Sequence, residues 1–151
     1  MELISAIHPK TIPISRKDYE LVSDVSYLWK IDGAVFKLII PKGFVCDGAS
    51  IPWFLWSVLK LHPDGLMRSA SWLHDYVYRY GGFVPKTQFF VAVNGEWKES
   101  KRHISKTESD GLFRMIMEYH GISKFKAGIA WMGVVSFGWI TWNKNKKEYQ
   151  R

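Results

Sequence analysis

The run "SYLWKI", the dipeptide Asp32-Gly33 and the run "AVFKLII" follow one another without interruption. Two runs rich in β-branched and aromatic residues, joined by an Asp-Gly pair, are the strongest short-range signal for a β-hairpin. The first third of the chain is therefore committed to antiparallel sheet over residues of about 19 to 45, with Tyr19, Leu21 and Val22 as an edge strand. A second hairpin is expected in "TQFFVAVNGEWKES", turning at Asn94-Gly95.

The remainder reads as helix. Ser50 is a suitable N-cap and Pro52 suits a first turn, and Pro63-Asp64-Gly65 ends that short helix. A helix from Leu66 to about Tyr80 is stopped by Gly81-Gly82. Ser105 and Glu108 stand at capping-box spacing before a helix that Gly121 closes. Ser123 is placed to cap a last helix reaching about Trp142, followed by a basic, frayed tail over 143–151. The fold class is thus α+β: one domain over 1–151, mainly strand to 45, and mainly helical over 50–142 with a hairpin inserted near 88–99.

Bulk properties narrow the function classes. A length of 151 residues suits a single core. Cys46 is the lone cysteine, which excludes an internal disulfide and points to a reducing compartment. The start "MELISAIHPK" lacks the basic and apolar regions of a secretion signal. The stretch "AGIAWMGVVSFGWITW", 127–142, falls short of the roughly 20 residues that span a bilayer, and reads better as a buried helix than an interfacial one. A net charge of +7 suits an anionic partner: a phospholipid surface, an acidic protein or, with weaker support, nucleic acid. "KESKRHISK", 98–106, reads as a solvated loop within reach of phosphates.

The chemistry-bearing residues are Asp47, His74, Asp75 and Asp110, each polar where the surrounding pattern asks for apolar. Adjacent helix residues point about 100° apart, so His74 and Asp75 serve different partners. Asp110 shares a helix face with Phe113 and Met117. If that face packs on the His74 helix, Asp110 accepts a hydrogen bond from one imidazole nitrogen and leaves the other as a base. Asp47, beside Gly48, and Asp75 offer oxygen ligands of the kind calcium prefers. The bland alternative is a satisfied structural network, with Asp47 as a turn former and Asp110 favoured by the helix dipole. No glycine-rich phosphate loop and no paired-cysteine metal pattern is present. The spacings of His62, His74, His103 and His120 match no zinc pair.

Two resemblances meet on these residues. "FVCDGASIPWFLW", "HPDG", "RSASWLHDYVYR" and "ESDGLFRMIM", in that order from about Gly43 to Met117, resemble a phage and prophage family of unknown function. That resemblance implies a protein made in a host cytoplasm, with association with the virion and a phage or host protein as partner among its implications. The same motifs are similar to the active site of phospholipase A2, where a helix carries His-Asp with a tyrosine four residues after the histidine. This second resemblance implies a calcium-dependent lipid or ester hydrolase. His74 would activate water, Asp110 would orient it, Tyr78 would support the pair, and Asp47, Gly48 and Asp75 would hold calcium. Ala70, Ser71 and Val77 stand where those enzymes carry disulfide cysteines, so the likeness covers a site and not a whole chain. The alternative function is a non-catalytic virion or accessory protein. A helical His-Asp metal phosphohydrolase ranks last, because His62 precedes Pro63 in a turn.

Overall fold

The structure is a computed structural model that describes residues 1–15, 18–46 and 67–149. Eight strands lie among the described residues: β1 (Glu2–Ala6), β2 (Thr11–Pro13), β3 (Tyr19–Leu21), β4 (Val25–Ile31), β5 (Ala34–Ile40), β6 (Val45–Cys46), β7 (Phe89–Val93) and β8 (Glu96–Glu99). The helices among the described residues are α1 (Arg68–Arg79), α2 (Lys106–Tyr119) and α3 (Lys124–Tyr149), with a 3-10 turn at Lys86–Gln88. The class is α+β, with antiparallel sheet in the N-terminal part.

Both hairpins form at their expected turns. Asp32 and Gly33 have φ of 49° and 85°, and Asn94 and Gly95 have φ of 52° and 82°. Positive φ at both central residues is the type I′ geometry that matches strand twist. The first hairpin registers Trp29 with Phe36, Tyr27 with Leu38 and Val25 with Ile40, and all six residues are buried on one face. That alternation follows from the period-2 geometry of strands. β1 and β7–β8 extend this sheet on either side, in the order β1-β4-β5-β7-β8. Trp29, Phe36 and Phe89 stack together with centroids 5.6–6.1 Å apart, and form the aromatic centre of the sheet's inner face.

The early strands divide differently from expectation. Residues 19 to 45 do not make one sheet. β3 lies at the centre of a second, three-stranded sheet, β2-β3-β6, rather than on an edge.

The sheet's inner face carries the helices. Tyr27 donates its hydroxyl to the Ser69 carbonyl at the start of α1, at 2.8 Å. Trp29 Nε1 donates to Glu108 Oε1 at the start of α2, at 2.9 Å. Glu108 also receives both Arg102 guanidinium nitrogens, at 2.9 and 2.7 Å, and Arg102 stacks over Phe36. Part of the charged run at 98–106 is therefore structural and not simply solvated. Ser105 caps α2 by accepting from Glu108 N–H, but the Glu108 side chain is spent on Trp29 and Arg102, so only half of the capping box forms.

α3 departs most from expectation. It runs on through the basic segment to Tyr149, and Asn145 Nδ2 donates to the Tyr78 carbonyl at 2.8 Å. The stretch read as a buried helix is buried on one side alone: Ala127, Ala130 and Val134 are covered, whereas Phe125, Met132, Trp139 and Ile140 are exposed. No described helix is long and apolar enough to cross a membrane.

Candidate functional site

α1 has buried residues on every side, so it is a central element and its polar side chains need partners. The two neighbours His74 and Asp75 find theirs on different elements. His74 Nε2 stands 3.0 Å from Asp110 Oδ1 on α2. Asp75 Oδ2 accepts the Cys46 thiol at the end of β6, at 2.7 Å. Both are buried, at 1% and 7% exposure.

Asp110 is the hub. Its Oδ1 accepts from His74 and from the Tyr78 hydroxyl at 2.7 Å, and its Oδ2 accepts from Lys106 Nζ at 2.6 Å. Burial by itself would raise this carboxyl. The hydrogen bonds from His74, Lys106 and Tyr78 outweigh that and hold it below the usual carboxylate range. Tyr78 moves the opposite way: burial first, then its bond to the Asp110 carboxylate, raise the phenol well above its ordinary value. Tyr78 therefore donates to Asp110 throughout the physiological range.

Because an ionised carboxylate only accepts, the His74 Nε2–H donates the hydrogen bond to Asp110. In the neutral ring Nδ1 is then the basic nitrogen, and among the described residues it has no hydrogen-bond partner. The ring is held by Tyr78, with centroids 4.0 Å apart, and by Phe113, at 5.1 Å. α3 closes over this cluster: Trp142 packs on Tyr78, and Gly138 lies so near the Tyr78 hydroxyl that a Cβ there would approach it to 2.5 Å.

The comparisons with known proteins bear on this arrangement. A family model described as protein of unknown function DUF1353 matches residues 19–134. The chain belongs to the DUF1353 family. No curated protein and no solved structure matches it. The DUF1353 match spans the first hairpin, α1, α2 and much of α3, so it takes in His74, Tyr78, Lys106 and Asp110 together.

Of the residues picked out from the DUF1353 sequence, the fold brings His74, Tyr78 and Asp110 together. It places Asp75 apart from them, beside Cys46. Asp47 and Gly48, the rest of the calcium set, lie outside the described residues, as do Ser50, Pro52, His62 and the Pro63-Asp64-Gly65 turn. Among the described residues no group of three His, Cys, Asp or Glu side chains could hold a metal. His103 is occupied with the Gly81 carbonyl at 3.1 Å, and His120 packs against His8. Sequence reasoning missed Lys106. Its position four residues before Asp110 was the available signal, since i, i+4 pairs meet on a helix face.

Proposed function

We propose that this chain is a phage-encoded ester hydrolase acting on phospholipid, with His74 as its general base. The observation that carries the reading is the buried His74 ring, tied at Nε2 to Asp110 and unpartnered at Nδ1 among the described residues. His74 Nδ1, His120 Nε2 and Ser109 Oγ are all buried without a protein partner among the described residues, and of the two histidines it is His74 whose other nitrogen is bonded to a carboxylate, the arrangement a general base needs.

In this mechanism His74 Nδ1 takes a proton from water as the water oxygen bonds to the ester carbonyl carbon. The same proton then passes to the departing alcohol oxygen as the ester C–O bond breaks, giving a fatty acid and a lysolipid. Asp110 is a positioning residue: it fixes the tautomer and offsets the imidazolium charge that develops. Tyr78 and Lys106 hold the carboxylate in place.

Asp75, a buried acid bonded to Cys46, would be one oxygen donor to a calcium ion, and Asp47 and Gly48 would be the others by the sequence resemblance alone. A bound calcium would supply charge to polarise the ester carbonyl. The similarity of the sequence motifs to a phage family supports a protein made in the host cytoplasm, with virion association as a corollary.

Hydrolysis of phosphatidylglycerol vesicles is the test. Product is expected with calcium and not with a chelator, and His74→Ala is expected to lower the rate by about 10²–10⁴-fold. Wild-type product no greater than the His74→Ala background would end the reading. The second reading, a non-catalytic virion or accessory protein, is favoured by one observation: Asp110 is 2% exposed and engaged by three donors, as a structural tie would be.

A further inference from the structure

We infer that the outer face of α3 is a docking surface for an anionic phospholipid membrane. Phe125, Met132 and Trp139 are spaced seven residues apart, so they line up along one side of the helix, with Val135 and Ile140 flanking them. They are 77%, 55% and 54% exposed, on the side opposite the buried Ala127, Ala130 and Val134. An aligned apolar stripe along a helix about 39 Å long marks an interaction face rather than scattered surface hydrophobes.

Charge identifies the occupant. Exposed Lys124 and Lys126 sit at the start of α3, and exposed Lys144 and Lys147 near its end, while Glu148 is its single acid. A second copy laid on this stripe would set lysine against lysine whether the helices ran parallel or antiparallel, a repulsive arrangement. Nucleic acid would satisfy the lysines and leave Met132, Val135 and Ile140 facing water. An anionic bilayer satisfies both sets at once: aromatic and aliphatic side chains enter the headgroup boundary while the lysines meet lipid phosphates. Beside Phe125 an open depression of about 310 Å³ is lined by Arg114, Lys124, Ile129, Trp131 and Met132, mostly apolar side chains with two cations among them. Arg114 is paired with Glu118 at 2.9 Å, so the lysines carry most of the attraction.

This inference deepens the lipid-ester reading and rests on it for the identity of the substrate, but binding in a chelator tests it without any turnover. Sedimentation with phosphatidylcholine vesicles and with an equal phosphatidylcholine–phosphatidylglycerol mixture should show binding to the mixture alone, weakening as salt is raised. Phe125→Glu/Met132→Glu/Trp139→Glu should bind about ten-fold or more weakly with little change in Tm, because these side chains are exposed. Lys144→Glu/Lys147→Glu should lose the preference for anionic lipid and supplies a second variant should the first fold poorly. Failure of the wild type to bind the mixed vesicles at low salt would overturn the inference. So would unaltered binding by both variants, or a dimer in sedimentation velocity that the triple variant dissolves. Binding without hydrolysis would leave the docking face standing and remove the catalytic reading; hydrolysis without binding would do the reverse.

Discussion

Replacing Asp110 with alanine is expected to destabilise the protein by about 3 kcal/mol or more, which corresponds to a fall in Tm of roughly 6–12 °C for a chain of this size. The carboxylate receives three donors, and two of them, His74 and Tyr78, are buried. Each buried donor left unsatisfied costs about 1–3 kcal/mol. Lys106 adds less, since its side chain keeps 21% exposure and can turn to solvent. Asp110→Asn keeps an acceptor oxygen and should cost less than alanine. The pH dependence follows from the depressed carboxyl. The unfolded chain takes up the Asp110 proton near 3.8, whereas the folded protein does so only at lower pH. The stabilisation is therefore complete above the unfolded value and is lost as pH falls through the folded one. Denaturant titrations from pH 7 down to acid should show this limb in the wild type and a shallower one in Asp110→Asn. A Tm for Asp110→Ala within a degree or two of wild type would show that the cluster is not held as described.

The second large effect belongs to Gly82. Its φ is +84°, and a Cβ there would clash with the Ile104 carbonyl oxygen and meet the His103 ring at 2.5 Å. Gly82 N–H bonds the Val77 carbonyl and Gly82 C=O receives Ile104 N–H, so this residue joins the end of α1 to the segment that launches α2. Gly82→Ala must strain the backbone and push that segment away, with a loss of about 3 kcal/mol or more and a displaced Asp110. Gly95 supplies the control. Its φ is +82°, yet nothing lies within 4 Å of its Cβ position, so Gly95→Ala should cost only about 1 kcal/mol. Equal losses in the two variants, measured by chemical denaturation, would contradict the close approach at Gly82.

The parts of the fold legible in the sequence were those that local rules determine. Asp32-Gly33 and Asn94-Gly95 announce their turns because few other residues accept positive φ at both positions. His74 and Asp110 were legible as a pair because helical periodicity points each toward one face, and two polar residues on facing apolar surfaces have little choice but to meet. The second sheet was not legible: β2 and β6 are three and two residues long, and their pairing with β3 depends on distant chain. Nor was the half-exposure of α3. Its apolar residues surround the helix, so the pattern alone does not say which side the body covers. Arg102 looked like part of a solvated run because its bond to Glu108 and its stacking on Phe36 are tertiary. Asp47 and Gly48 lie outside the described residues, and their calcium role stands as a proposal.

The central claim is that Asp110 fixes the tautomer of His74 and leaves Nδ1 as a base. Nitrogen-15 NMR of the histidine side chains at neutral pH, with His74 assigned from the spectrum of a His74→Gln variant, reports this directly. The expected result is a pyrrole-type, proton-bearing Nε2 and a pyridine-type, proton-free Nδ1, with this preference reduced in Asp110→Asn. A proton-bearing Nδ1 in the wild type would contradict the account, because no basic nitrogen would then remain to accept a proton from water.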